Sequence, residues 1–131
     1  MYIRFLAEFK NDNDETDTGI FQAAAFLRRS HKTYDYDKQF LLEIRDWFNL
    51  HLEKPDRFNK AKRKNAQNVS LSWFKSTATV HLQKMYEMKQ ILDKYDIEVT
   101  EIMRENPGYI IYEDDYQVST LPHGKDKHLA K

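Results

Sequence analysis

Three places in the chain have residue types and spacing that could do chemistry: His81, the acidic run Glu113-Asp114-Asp115, and the cationic stretch holding Lys60, Lys62, Arg63 and Lys64. His81 sits in the middle of an apolar stripe, where a histidine can serve as a general base held in a pocket. Its neighbours at helical spacing, Thr77, Ala78 and Met85, offer no carboxylate to orient the ring. A histidine hydrogen-bonded at the edge of a core is therefore the favoured reading. His31, His51, His81, His123 and His128 show none of the HxH, HxxxH or HExxH spacings that bring imidazoles onto one metal.

The segment Tyr112-Glu113-Asp114-Asp115-Tyr116 places three carboxylates between tyrosines, a set that could ligate a divalent cation or supply acid–base groups. Successive residues of a strand face opposite ways, and no convergent ligand from elsewhere is evident, so a solvated hairpin tip is favoured. In residues 54 to 75, seven cations stand against Asp56 alone. Lys60, Lys62, Arg63, Lys64 and Lys75 could neutralise phosphates while Trp73 stacks on a base. A balance of 21 basic and 21 acidic residues and a pI near 7.0 weigh against a dedicated nucleic-acid protein, and a solvated loop is the favoured reading.

Other chemistries have less to work with. The chain has no cysteine, which removes disulfides, thiol nucleophiles and Cys-ligated metals. Three glycines give no GxGxxG, P-loop or GxSxG, so neither a phosphate cradle nor a nucleophile elbow is expected. The N-terminal stretch is broken by Arg4 and Glu8 and lacks the form of a signal peptide, and no apolar run approaches a membrane span. These features together predict a cytoplasmic protein with no cofactor and no metal.

The elements that must position these residues follow from periodicity. Ile3, Phe5, Ala7 and Phe9 alternate with polar residues as a half-buried strand does. After an acidic loop at 11 to 17, Thr18 is expected to cap a helix carrying Ile20, Phe21, Ala24, Ala25 and Leu27. A second helix from about Asp37 presents Phe40, Leu41, Ile44, Trp47 and Phe48 on one side, and Pro55 follows its end. A basic connector covers 54 to 70, and Ser72 is expected to cap a third helix with Phe74, Ala78, His81, Leu82, Met85, Met88 and Leu92 on its stripe. That placement leaves Trp73 off the buried stripe and partly exposed. A strand from Ile97 precedes the Pro107-Gly108 turn and a hairpin over 109 to 121.

The predicted fold class is α+β: a single two-layer domain over 1–122, order β-α-α-α-β-β-β, with three helices on one face of a mainly antiparallel sheet of about four strands. The polar residues 123–131 are expected to form a tail. With no catalytic signature, the expected function is that of a non-catalytic protein-binding or regulatory domain. It would act through an open sheet face and an acidic hairpin, using Tyr109, Tyr112, Glu113, Asp114, Asp115 and Tyr116, with self-association as one form of partnership. The alternative is a nucleic-acid-binding protein using Lys60, Lys62, Arg63, Lys64, Trp73 and Lys75. A third expectation, an enzyme or ligand-binding domain, requires His81 and residues 113–115 to face one cavity.

Overall fold

The structure is a computed structural model that describes residues 1–54, 70–122 and 124. Its fold class is α+β, with three helices packed against a mostly antiparallel sheet of six strands rather than about four. Among the described residues the elements are β1 (Tyr2–Lys10), β2 (Thr16–Gly19), α1 (Ile20–Arg29), α2 (Asp35–His51), β3 (Leu71–Lys75), α3 (Thr79–Lys94), β4 (Val99–Arg104), β5 (Tyr109–Glu113) and β6 (Gln117–Leu121). Strands pair in the order β2-β1-β3-β6-β5, and β4 also pairs with β1. The expected tail, apart from Gly124, and the connector from Pro55 to residue 69 lie outside the described residues.

The chain divides into two compact units. The first comprises Met1–Arg4, Glu53–Thr79 and Met103–Lys131. Here the start of β1 pairs with β3 (Tyr2 with Lys75, Ile3 with Phe74), β3 with β6 (Leu71 with Thr120, Trp73 with Val118), and β6 with β5. β3 falls where Ser72 was expected to open a helix. In β3 the consecutive Trp73 and Phe74 face opposite ways and are both buried while Ser72 is exposed, so strict alternation is lost, and Leu71, Trp73 and Phe74 look the same in a helical frame. β6 is covered likewise: Gln117, Val118, Ser119 and Thr120 alternate between faces and all four are buried. Neither face of the sheet is open at this strand.

The second unit holds Phe5–Leu52 and Val80–Ile102. β1 continues here against β2 (Phe9 with Asp17, Lys10 with Thr16), a short strand hidden inside the acidic stretch read as loop. Thr18 lies in β2 and does not cap α1. Gly19 occupies the capping position with no side-chain bond, and Asp17 Oδ1 accepts the backbone N–H groups of Thr18 and Gly19 instead. α1 buries Ile20, Ala23, Ala24 and Leu27, the i, i+3, i+4, i+7 set, and Phe26 lies 5.3 Å from Phe9 of β1. α2 buries Asp37, Leu41, Ile44 and Phe48, while Phe40, expected inside, is exposed. α3 buries His81, Leu82, Met85, Met88, Ile91 and Leu92, and Tyr86 meets Phe5 edge-on at 5.7 Å. The helix closes through Asp96 at φ 62°, with the Ile97 N–H donating to the Leu92 carbonyl. That is the Schellman pattern, with aspartate in the left-handed place glycine usually takes.

Candidate functional site

The hairpin predicted from 109 to 121 is formed, and its tip is organised by one side chain. Asp114 Oδ1 accepts the backbone N–H groups of Tyr116 (2.8 Å) and Gln117 (3.0 Å), while Oδ2 accepts from the Tyr112 hydroxyl (2.9 Å) and Gln117 Nε2 (3.1 Å). The backbone adds Asp114 N–H to the Gln117 carbonyl at 3.0 Å. This explains how a turn without an Asn-Gly or Asp-Gly pair is held: an aspartate side chain supplies the acceptors. Burial pushes the Asp114 carboxyl up, and the four hydrogen bonds outweigh it and hold the group below its ordinary value. Both oxygens are thus committed to the turn.

The three carboxylates diverge. Glu113 Oε2 pairs with Lys75 Nζ at 2.7 Å, a hydrogen bond that raises the lysine above its ordinary value against the opposing effect of its burial. Asp114 points into the turn, and Asp115 is exposed. No group of three His, Asp or Glu side chains suited to a metal ion occurs among the described residues. Tyr116 is 44% exposed and Tyr109 58% exposed, while Tyr112 is half-buried over Asp114. Gln117 Nε2 also donates to the Glu53 carbonyl at 2.6 Å, and the Lys75 N–H to the Tyr116 carbonyl at 2.9 Å, so the tip is tied down on two sides. Asp114→Ala is expected to lower stability by about 1.5 kcal/mol, because the lost acceptors lie at a partly solvated turn. Amide exchange at Tyr116 and Gln117 should quicken while that of α3 is unchanged, a result readable by hydrogen-exchange mass spectrometry.

His81 belongs to the other unit, and the structure gives its ring a structural task. It is buried, with Nε2 2.8 Å from the His51 carbonyl, one of the unpaired acceptors at the C-terminus of α2. A carbonyl only accepts, so Nε2 carries the proton and donates. Trp47 and Phe48 flank the ring at 4.8 and 6.0 Å. Core-edge histidine is what the sequence favoured, and the ring ties the end of α2 to α3.

Of the expected nucleic-acid set, Lys60, Lys62, Arg63 and Lys64 lie outside the described residues. Trp73 is 1% exposed and Lys75 is ion-paired, so neither is presented as a stacking ring or an unengaged cation. The partial exposure anticipated for Trp73 is corrected: as a strand residue opposite Val118 it is enclosed.

One cluster went unnoticed in the sequence. Asp37, buried on the inner stripe of α2, accepts from Lys94 Nζ at 2.8 Å and from the Tyr95 hydroxyl. Tyr95 in turn accepts the Tyr34 N–H, and Lys94 donates to the Tyr36 hydroxyl at 2.9 Å. Burial alone would raise the Asp37 carboxyl, but the bonds from Lys94 and Tyr95 and the lysine's charge bring it below its ordinary value. Lys94 is raised by its bonds to Asp37 and Tyr36. The only sequence signal was an acid at i relative to Leu41, Ile44 and Phe48, a charged residue on an apolar stripe.

The class defined so far is an α+β protein whose hairpin tip combines acid and aromatic groups on a fixed turn. No protein-family model, no curated protein and no solved structure matches the chain. Among the described residues, no helix is long and apolar enough to cross a membrane.

Proposed function

We propose that the chain is a non-catalytic, cytoplasmic protein-binding module that offers its hairpin tip to a basic segment of a partner. The observation that carries this reading is the Asp114-bonded turn, which presents Tyr116 and Asp115 at the surface, with the exposed Tyr109 at the other end of the same hairpin. A fixed turn loses little conformational freedom on binding, and tyrosines with an apolar ring and polar tip are the residues that interfaces enrich. At β6 both faces are covered, so the reading is placed on the hairpin tip. The lack of cysteine accords with a reducing compartment.

The test is selection of a displayed random-peptide library against the full chain, followed by affinity measurements on wild type, Tyr109→Ala and Tyr116→Ala. Basic sequences should be enriched, and Tyr116→Ala should weaken the selected peptides about tenfold or more, as loss of an interface anchor does. Selection of nothing, or of peptides indifferent to both tyrosines, overturns the hairpin as the binding surface.

A further inference from the structure

The outer seam between α1 and α2 gathers positive charge that the described residues do not neutralise. The two helices run antiparallel, joined by residues 30–34, with Phe21 near the start of α1 meeting Phe48 near the end of α2 at 5.2 Å. α3 lies along the other flank of α2, where Trp47 meets His81 at 4.8 Å. The flank of α1 that begins at Phe21 continues through Ala25 to Arg28, and the facing flank of α2 carries Lys38, Leu42 and Arg45, both at spacings of four and three. Ala25, Arg28, Lys38 and Leu42 are half-buried, and Arg45 is exposed.

Counting about 1.5 Å per residue from the Phe21–Phe48 contact sets Arg28 level with Leu41, one turn from Arg45. Side chains tilt toward the N-terminus of their own helix, so in an antiparallel pair the two arginines lean toward each other. Among the described residues neither the Arg28 guanidinium nor the Lys38 ammonium has a hydrogen bond or ion pair. Arg45 Nε and Nη2 donate to Asp46 Oδ1 at 3.2 and 2.9 Å, an exposed pair between sequence neighbours that leaves Nη1 for another acceptor. Burial and the charges of Arg45 and Arg29 push Arg28 below its ordinary value, with only Asp46 opposing. α1 contains no acidic residue, and Asp35 lies in the first turn of α2, about a turn beyond Lys38. A cation in the last turn of α1 suits the helix dipole, but Arg29 stands there too, and Arg28 donates to no helix carbonyl. Half-buried cations set side by side without a carboxylate between them are a costly arrangement that an anion would complete.

We propose that this α1/α2 seam binds the terminal phosphate of an organic phosphomonoester, clasped between the Arg28 and Arg45 guanidinia with Lys38 at its edge. Guanidinium forks match phosphate oxygens, and two forks with an ammonium suit a group carrying nearly two negative charges. A carboxylate offers two oxygens and one charge, which a single arginine fills. A nucleic-acid backbone spreads singly charged diesters along a strand, whereas these cations surround one point, level with Leu42. Ala25 and Leu42 give the seam a small apolar floor for the carbon body that carries the phosphate. The inference is independent of the hairpin reading, whose residues belong to the other unit.

The test follows the arginine Nε–H signals by NMR while the full chain is titrated with phenyl phosphate, dimethyl phosphate or an oligothymidylate lacking a terminal phosphate. Phenyl phosphate should shift Arg28 and Arg45 saturably and bind at least about tenfold more tightly than dimethyl phosphate, the difference expected of one charge-assisted hydrogen bond. Arg28→Gln and Arg45→Gln should each weaken phenyl phosphate about tenfold or more with the circular dichroism unchanged. Arg29→Gln, whose guanidinium pairs with Asp12 instead, and Tyr116→Ala on the hairpin should leave the affinity as it is. Should Arg28→Gln fail to fold, the exposed Arg45 carries the same test. No saturable shift, equal affinity for dimethyl phosphate, or indifference to Arg45→Gln overturns the proposal. An equal loss in Arg29→Gln also overturns it, by reducing the seam to diffuse surface charge. Oligothymidylate binding that is tighter than that of phenyl phosphate and is lost in Arg45→Gln overturns it as well, by assigning the seam to a nucleic-acid backbone.

Discussion

Trp73→Ala should lower the unfolding free energy by about 4 kcal/mol, the upper range for truncating a large aromatic in a core. The side chain is 1% exposed on β3, which pairs with β1 on one side and β6 on the other, so no free edge is available for the strand to relax into. Among the described residues its indole N–H has no acceptor. Trp73→Phe therefore removes a buried unmatched donor along with some ring volume, and should cost only about 1–2 kcal/mol. Urea unfolding followed by circular dichroism separates the two through their midpoints at a common slope. The same pair of variants decides the residue's role in the nucleic-acid alternative. A stacking platform would leave the midpoint of Trp73→Ala in place and abolish polynucleotide binding, whereas a core residue shifts the midpoint first.

The contrast between Trp73 and the hairpin shows what the sequence could express. The hairpin was legible because Tyr109 to Leu121 alternates and is interrupted by acids, a local signal for a local structure. β1, the bodies of α1 and α2, and most of α3 were legible for the same reason: one face was buried and the other solvated. β3 was illegible because Trp73 and Phe74, consecutive and buried on opposite faces, break the period that distinguishes strand from helix. β2 was missed because a four-residue strand built from Thr-Asp-Thr-Gly has no apolar content to betray it, being held by backbone pairing to β1. The hairpin's acids were readable as a tip but not as a mechanism. That Asp114 holds the turn while Glu113 pairs with Lys75 depends on where β3 runs, a long-range fact. On α2, Phe40 and Trp47 read as core but lie exposed and half-buried, because a sequence gives the period of a stripe and not which of two adjacent stripes is covered.

Asp37→Ala should have the second-largest effect, about 3 kcal/mol, and its pH dependence should reveal the cause. Asp37 is enclosed, and its carboxylate receives two side-chain donors from the far end of α3, closing the antiparallel pair of helices at residues far apart in sequence. Removal strands the Tyr95 hydroxyl, but Lys94, still 41% exposed, can turn to water, so the cost stays below that of splitting a fully buried ion pair. The folded carboxyl titrates below its ordinary value of 3.8, so its stabilisation is complete above that pH and is lost as pH falls through the folded value. Lys94 titrates above its ordinary value of 10.5, so its share is complete below that pH and is lost only as pH rises through the still higher folded value. The stability difference between wild type and Asp37→Ala should accordingly be flat from about pH 5 to about pH 9 and close toward acid. Urea midpoints at intervals between pH 3 and pH 7 measure this directly. A difference that persists undiminished at the acid end would assign the loss to packing around the Asp37 methylene rather than to the charge, and Asp37→Asn, which keeps the volume and an acceptor, would then behave as wild type throughout.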